Sequence, residues 1–95
     1  MRFLVIARVL ETVAGPDDAR VRRELSQEMP QILASENVEA SGSFAGSRAG
    51  FFLINASAPE DIYKALSKVV IENFHTDVYP IMPFEKLGEL FAMWD

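Results

Sequence analysis

Two stretches of this chain, residues 2–10 and residues 50–56, are apolar at nearly every position and not only at every second one. A strand with apolar side chains in both of its alternating sets is buried on both faces, which predicts a central place in a sheet. Residues 39–45 and 77–84 are weaker strand candidates because they contain glycine, serine or proline, which are tolerated mainly at sheet edges. We therefore expect two central strands flanked by two outer ones.

Helical patterns lie between these strands. Pro16 followed by two aspartates suits a helix start, and apolar residues then recur at helical spacing as far as about Ser35. The segment Ser57-Ala58-Pro59-Glu60 places a serine and a glutamate three residues apart, which favours a reciprocal capping box at the start of a second helix. Four large apolar residues near the end of the chain also have helical spacing: Leu87, Leu90, Phe91 and Trp94.

The order strand, helix, strand, strand, helix, strand predicts an α+β, ferredoxin-like fold. Two right-handed split βαβ units give a four-stranded antiparallel sheet with two helices on one face and the first and third strands in the centre. We expect one domain over residues 1–95, in which residues 84–95 form a C-terminal helix or arm. Two helices cover only one face of the sheet, so we expect a homodimer or higher homo-oligomer through the open sheet face.

Composition excludes several classes of function. The chain has 95 residues, no cysteine, one histidine and a formal net charge of -5. An acidic chain is a poor partner for nucleic acid or an anionic membrane, and without cysteines or several histidines neither a disulfide framework nor a structural zinc site is expected. We expect no cofactor and no metal. The first apolar run is too short to span a bilayer, so a cytoplasmic location is expected.

The residues best suited to proton transfer lie near the start of the last predicted strand. His75 is the only histidine, and Asp77 follows two residues later, so the two side chains point to the same side of an extended segment. A carboxylate beside a histidine orients it and raises its basicity, which predicts His75 as the acid-base group and Asp77 as its orienting partner. The alternative is that residues 73–77 form a polar loop.

Three further residues are candidate ligand contacts. Arg8 closes the first strand, which ends where the last strand begins, and Arg48 lies in the turn between the second and third strands. Either guanidinium is suited to holding an organic anion, although surface ion pairing is the simpler explanation for both. Tyr79 carries a hydroxyl that would donate a hydrogen bond to a bound ligand.

Several segments resemble a known superfamily. They are Met1-Arg2-Phe3-Leu4-Val5, the strand Gly50-Phe51-Phe52-Leu53-Ile54 running into Ser57-Ala58-Pro59-Glu60, and Phe74-His75-Thr76-Asp77-Val78. Together they resemble the small muconolactone isomerase-like members of the dimeric α+β barrel superfamily. The resemblance implies a dimeric barrel and a small cofactor-independent isomerase or lyase-like enzyme acting on an organic acid or lactone. The alternative is a non-catalytic small-ligand-binding or assembly protein of the same barrel class.

Overall fold

The computed structural model describes residues 1–94. Its elements are β1 (Arg2–Val9), α1 (Pro16–Ala34), β2 (Val38–Ser43), β3 (Ala49–Asn55), α2 (Pro59–Asn73), β4 (Phe74–Ile81) and α3 (Glu85–Trp94). The four strands form one antiparallel sheet in the order β2-β3-β1-β4. The predicted α+β class, the βαββαβ order, the central positions of β1 and β3 and the C-terminal helix are all confirmed.

One face of the sheet carries the core. Val5, Phe52 and Ile54 alternate with half-buried residues along β1 and β3, and all three are at most 7% exposed. They pack with buried side chains of α2, chiefly Leu66 and Val70. Burying each large aliphatic or aromatic side chain contributes about 1.5–3 kcal/mol, so this layer anchors α2 to the sheet.

The opposite face of the sheet is open. Leu4 lies across from Leu53 on one side and from Tyr79 on the other, and Ile6 lies across from Phe51. These five side chains point to the face opposite Val5, Phe52 and Ile54, and none of them is fully buried. The apolar character of both phases is therefore real, but only one of the two faces is covered by helices.

The last strand begins earlier than the sequence pattern indicated. β4 starts at Phe74 and not at Asp77, because β1 continues to Val9, which pairs with Phe74. The backbone N–H of Leu10 extends this contact by donating to the carbonyl of Asn73 at 3.1 Å. The polar-loop interpretation of residues 73–77 is thus wrong: Asn73 ends α2 and the rest belong to the strand.

Helix α2 departs from the predicted pattern at its start and in its middle. The carboxylate that accepts hydrogen bonds at its start belongs to Asp61, one residue beyond the predicted Glu60, and its donors are the backbone and hydroxyl of Ser57 and the backbone of Ala58. In its middle, Ser67 has φ 69° and ψ 167°, which breaks the helical path.

Within residues 1–94, no helix has both the length and the apolar character needed to cross a membrane.

Candidate functional site

A cavity of about 660 Å³ lies between α1 and the helix-covered side of the sheet. Cavities that hold small ligands are typically about 300–1,000 Å³, so this one has a suitable size. Its wall is mostly apolar, and the main contributors are Val21, Leu25 and Met29 of α1, Ala7 and Val9 of β1, Phe52 of β3 and Val70 of α2.

Strand β2 supplies a polar side to this cavity. Ser41 pairs with Phe52 and Ser43 pairs with Gly50 across the ladder, so both serines have the phase that faces α1. Both line the cavity, together with Ser47 from the turn that follows. A strand under a helix normally presents apolar side chains there, and hydroxyls at these positions leave hydrogen-bonding groups available to an occupant.

Three charged side chains lie at the border of the cavity. Arg48 forms an ion pair with one carboxylate oxygen of Asp18, which lies in α1. Arg22 forms a second ion pair with the other oxygen at 3.1 Å. The side chain of Asp18 is 25% exposed, whereas that of Arg48 is 59% exposed. Two guanidinium groups share one carboxylate, so the border of the cavity carries a local positive charge on a chain whose net charge is -5. This arrangement can hold an anion, since a guanidinium has five N–H donors.

The predicted acid-base pair lies on the opposite face of the sheet. His75 Nε2 and Asp77 Oδ1 are 3.1 Å apart, and the ladder places Arg8 directly across from His75. Tyr79 follows on the same open face, across from Leu4. The structure thus brings His75, Asp77 and Arg8 together, and their part in any reaction stays a prediction. None of these residues lines the cavity beneath α1.

Arg48 does not join this group. Its backbone lies next to the end of β1, where its carbonyl accepts the N–H of Val9 at 3.0 Å, but its side chain pairs with Asp18 of α1. Asp18 lies on the helix-covered side, so this ion pair directs the side chain of Arg48 to that side. The ion-pair interpretation therefore applies to Arg48, and the same pair brings it to the border of the cavity.

Sequence reasoning missed the cavity itself, although one signal for it was present. In Ser41-Gly42-Ser43 two serines stand two residues apart on a strand that must face a helix on one side. Because strand side chains alternate, one phase of such a strand is expected to be apolar, and serine in both available positions indicates a face that is not packed.

Comparison with known proteins gives no assignment. No protein-family model matches the chain, and no curated protein matches it. Within residues 1–94 there is also no group of three or more histidine, cysteine or acidic side chains placed to hold a metal ion. The geometry of the cavity and of the open sheet face is therefore the basis for assigning a function.

Proposed function

We propose that this protein binds a small organic acid with a mostly apolar body in the cavity between α1 and the sheet. The observation that carries the proposal is the combination of an apolar cavity of about 660 Å³ with Arg22 and Arg48 at its border. The apolar wall takes the hydrocarbon part of the ligand, which is favourable by about 25 cal/mol per Å² removed from water. The guanidinium of Arg22 or Arg48 binds the carboxylate of the ligand, and the hydroxyls of Ser41 and Ser43 are available to hydrogen-bond its other polar atoms.

Isothermal titration calorimetry with a panel of aliphatic and aromatic monocarboxylates, each paired with its neutral amide, tests this proposal. A hydrogen bond to a charged group contributes about 1.5–3 kcal/mol, so we expect each bound acid to exceed its amide by roughly 10-fold to 150-fold in affinity. Arg48→Met should remove most of that preference.

Arg20→Met is the matched control, because Arg20 is an arginine of α1 that pairs with Glu24 and Asp17 without lining the cavity. Equal affinity for acid and amide, or equal loss of binding in both arginine variants, would contradict the proposed role of the cavity border.

We further propose that the protein is a homodimer joined through the open sheet face. Leu4, Ile6, Phe51 and Leu53 support this, because they form an apolar centre on a face that no helix within residues 1–94 covers. Light scattering at micromolar concentrations should give twice the mass of the 10.6 kDa chain, and a monomer at all concentrations would refute the dimer.

A second candidate function is supported by a separate observation, the 3.1 Å approach of His75 to Asp77 beside Arg8. This candidate is an isomerase or lyase-like enzyme acting on an organic acid or lactone. His75 would remove a proton from the carbon next to the carboxyl or lactone carbonyl and return it at another carbon, while Asp77 orients the imidazole. Arg8 would neutralise the anion, and Tyr79 would donate a hydrogen bond to it.

Proton exchange provides a direct assay for this second function. In heavy water, wild-type protein should catalyse exchange of the carbon-bound proton of its substrate, followed by nuclear magnetic resonance, and His75→Ala should abolish the exchange while the dimer persists. Thr76→Ala is the control, since Thr76 has the other phase of β4 and points away from the open face. Exchange at the wild-type rate in His75→Ala would exclude this histidine as the acid-base group.

A further inference from the structure

Helix α3 projects from the body of the protein. None of its ten residues is buried. The radius of gyration is 15.8 Å, compared with about 12 Å for a compact domain of this length, and the longest dimension of 56 Å is more than twice the other two. A C-terminal helix that packed on its own chain would not lengthen the molecule in this way.

Phe84 and helix α3, together called the arm, expose large aromatic side chains. Phe84 is 86% exposed, Phe91 53% and Trp94 74%. Taking roughly 200 Å² for a whole aromatic side chain, these three residues alone expose about 400 Å² in each copy. The rings of Phe91 and Trp94 lie 5.9 Å apart, so they form one continuous surface. An exposed apolar area of this size matches the largest patch on a typical monomer, about 300–600 Å², and such patches often mark an interaction site.

The open sheet face is also incompletely covered next to the start of this arm. Tyr79 is 51% exposed and Ile81 41%, and both have the open-face phase of β4, across from Leu4 and Arg2. The arm and this part of β4 are therefore two apolar surfaces on the same chain, each without a partner among residues 1–94.

We propose that α3 of each copy crosses to the other copy and packs on the β4 side of its open face, over Tyr79 and Ile81. This inference rests on the homodimer proposed above and names the element that closes it. The exchange is reciprocal, as a two-fold axis requires, because each copy gives one arm and receives one. Two arms and the surfaces they cover amount to roughly 1,600 Å², the usual total for a stable interface.

The connection between β4 and α3 is short and ordered. Only residues 82–84 separate the two elements. The N–H groups of Lys86 and Leu87 donate to the carbonyls of Pro83 and Phe84 at 3.0 and 2.9 Å, so the first turn of the helix begins immediately after the strand. In this position none of the ten residues of α3 is buried, so the helix leaves the open face of its own sheet uncovered. Charge also fits, since Glu85 of α3 and Arg8 of the open face each form no ion pair within residues 1–94.

Trp94 makes the arm directly observable, because it is the only tryptophan of the chain. Sedimentation equilibrium and tryptophan fluorescence are measured on the full chain over a dilution series. We expect the dimer to dissociate on dilution and the emission of Trp94 to move to longer wavelength over the same concentration range. Phe91→Asp should weaken the dimer by at least 10-fold, whereas Lys86→Gln, on the same helix, should leave the dissociation constant within twofold.

A mixing experiment separates arm exchange from other modes of association. Ile81→Asp damages the receiving face and Phe91→Asp damages the arm, so neither variant should dimerise well alone. Mixed together they restore one intact contact, from the arm of the Ile81→Asp copy to the face of the Phe91→Asp copy, and heterodimers should form. If Ile81→Asp lowers the fold content by circular dichroism, Tyr79→Asp replaces it.

Each alternative outcome has a distinct meaning. Absence of heterodimers with both variants folded would overturn the exchange. A dimer undiminished by Phe91→Asp would overturn the role of the arm and leave the open-face dimer standing, while a wild-type monomer at every concentration would overturn both. A short-wavelength Trp94 emission in a monomer would show that the arm folds back on its own chain.

Discussion

At Ser67, in the middle of α2, we predict that glycine gives a more stable protein than alanine, which is the reverse of the usual order in a helix. Its φ of 69° and ψ of 167° lie in a region that is essentially restricted to glycine. Holding an L-residue in this conformation lowers the free energy of unfolding by about 1–3 kcal/mol, because its Cβ crowds the backbone. In an ordinary helix interior, by contrast, glycine is about 1 kcal/mol less stable than alanine.

We therefore compare Ser67→Gly with Ser67→Ala. Both variants lose the hydrogen bond that Ser67 Oγ donates to Glu28 Oε2 at 2.5 Å, so this loss cancels in the comparison. The relief of strain in the glycine variant is partly offset by the greater freedom of glycine in the unfolded chain, about 0.5–1 kcal/mol. Ser67→Gly should then be more stable than Ser67→Ala by about 1 kcal/mol.

Thermal and urea unfolding followed by circular dichroism measure this difference. For a domain of this size, about 1 kcal/mol corresponds to roughly 4–8 °C in the midpoint of thermal unfolding. Ser26 is the matched control, since it lies inside α1 and its Oγ donates to the carbonyl of Arg22 one turn earlier. At that position the free energy of unfolding of Ser26→Ala should exceed that of Ser26→Gly by about 1 kcal/mol. If alanine is the more stabilising residue at both positions, the backbone at Ser67 carries no strain that glycine relieves.

Two further predictions concern the sheet and the start of α2. Gly50→Ala should lower the free energy of unfolding by about 1–3 kcal/mol in urea titrations, because its Cβ would lie 2.7 Å from the carbonyl oxygen of Gly42 and push β2 away from β3; an unchanged midpoint would contradict this. Hydrogen bonds from the backbone and hydroxyl of Ser57 lower the pKa of Asp61, so its folded pKa lies below its unfolded one. Its stabilising contribution is then complete above the unfolded pKa of about 4 and is lost as the pH falls through the folded pKa. The excess stability of wild type over Asp61→Asn should be constant between pH 6 and 8 and shrink below pH 4, and a difference independent of pH would exclude this carboxylate as the cause.

Contacts between elements limited what could be predicted about the boundaries and the site. The β1–β4 register extended β4 back to Phe74, and no local pattern in residues 73–77 records that pairing. The same register placed Arg8 across from His75, as the order of the strands had indicated. The side chain of Arg48 lies on the helix-covered face and not beside His75, because its partner Asp18, thirty residues earlier in the chain, lies on that face. An ion pair between side chains so far apart in sequence has no signature in the spacing of either.

The sequence by itself determined the order of the elements, the central places of β1 and β3 and the amphipathic character of the C-terminal helix. These follow from periodicity, which each segment carries on its own. Ser41 and Ser43 indicated a face of low apolar content, but only the tertiary structure decided that α1 stands away from the sheet there and leaves a cavity. Whether two layers touch or leave a space depends on the volumes of side chains that meet from distant segments, and alternation of polar and apolar residues contains no information on volume.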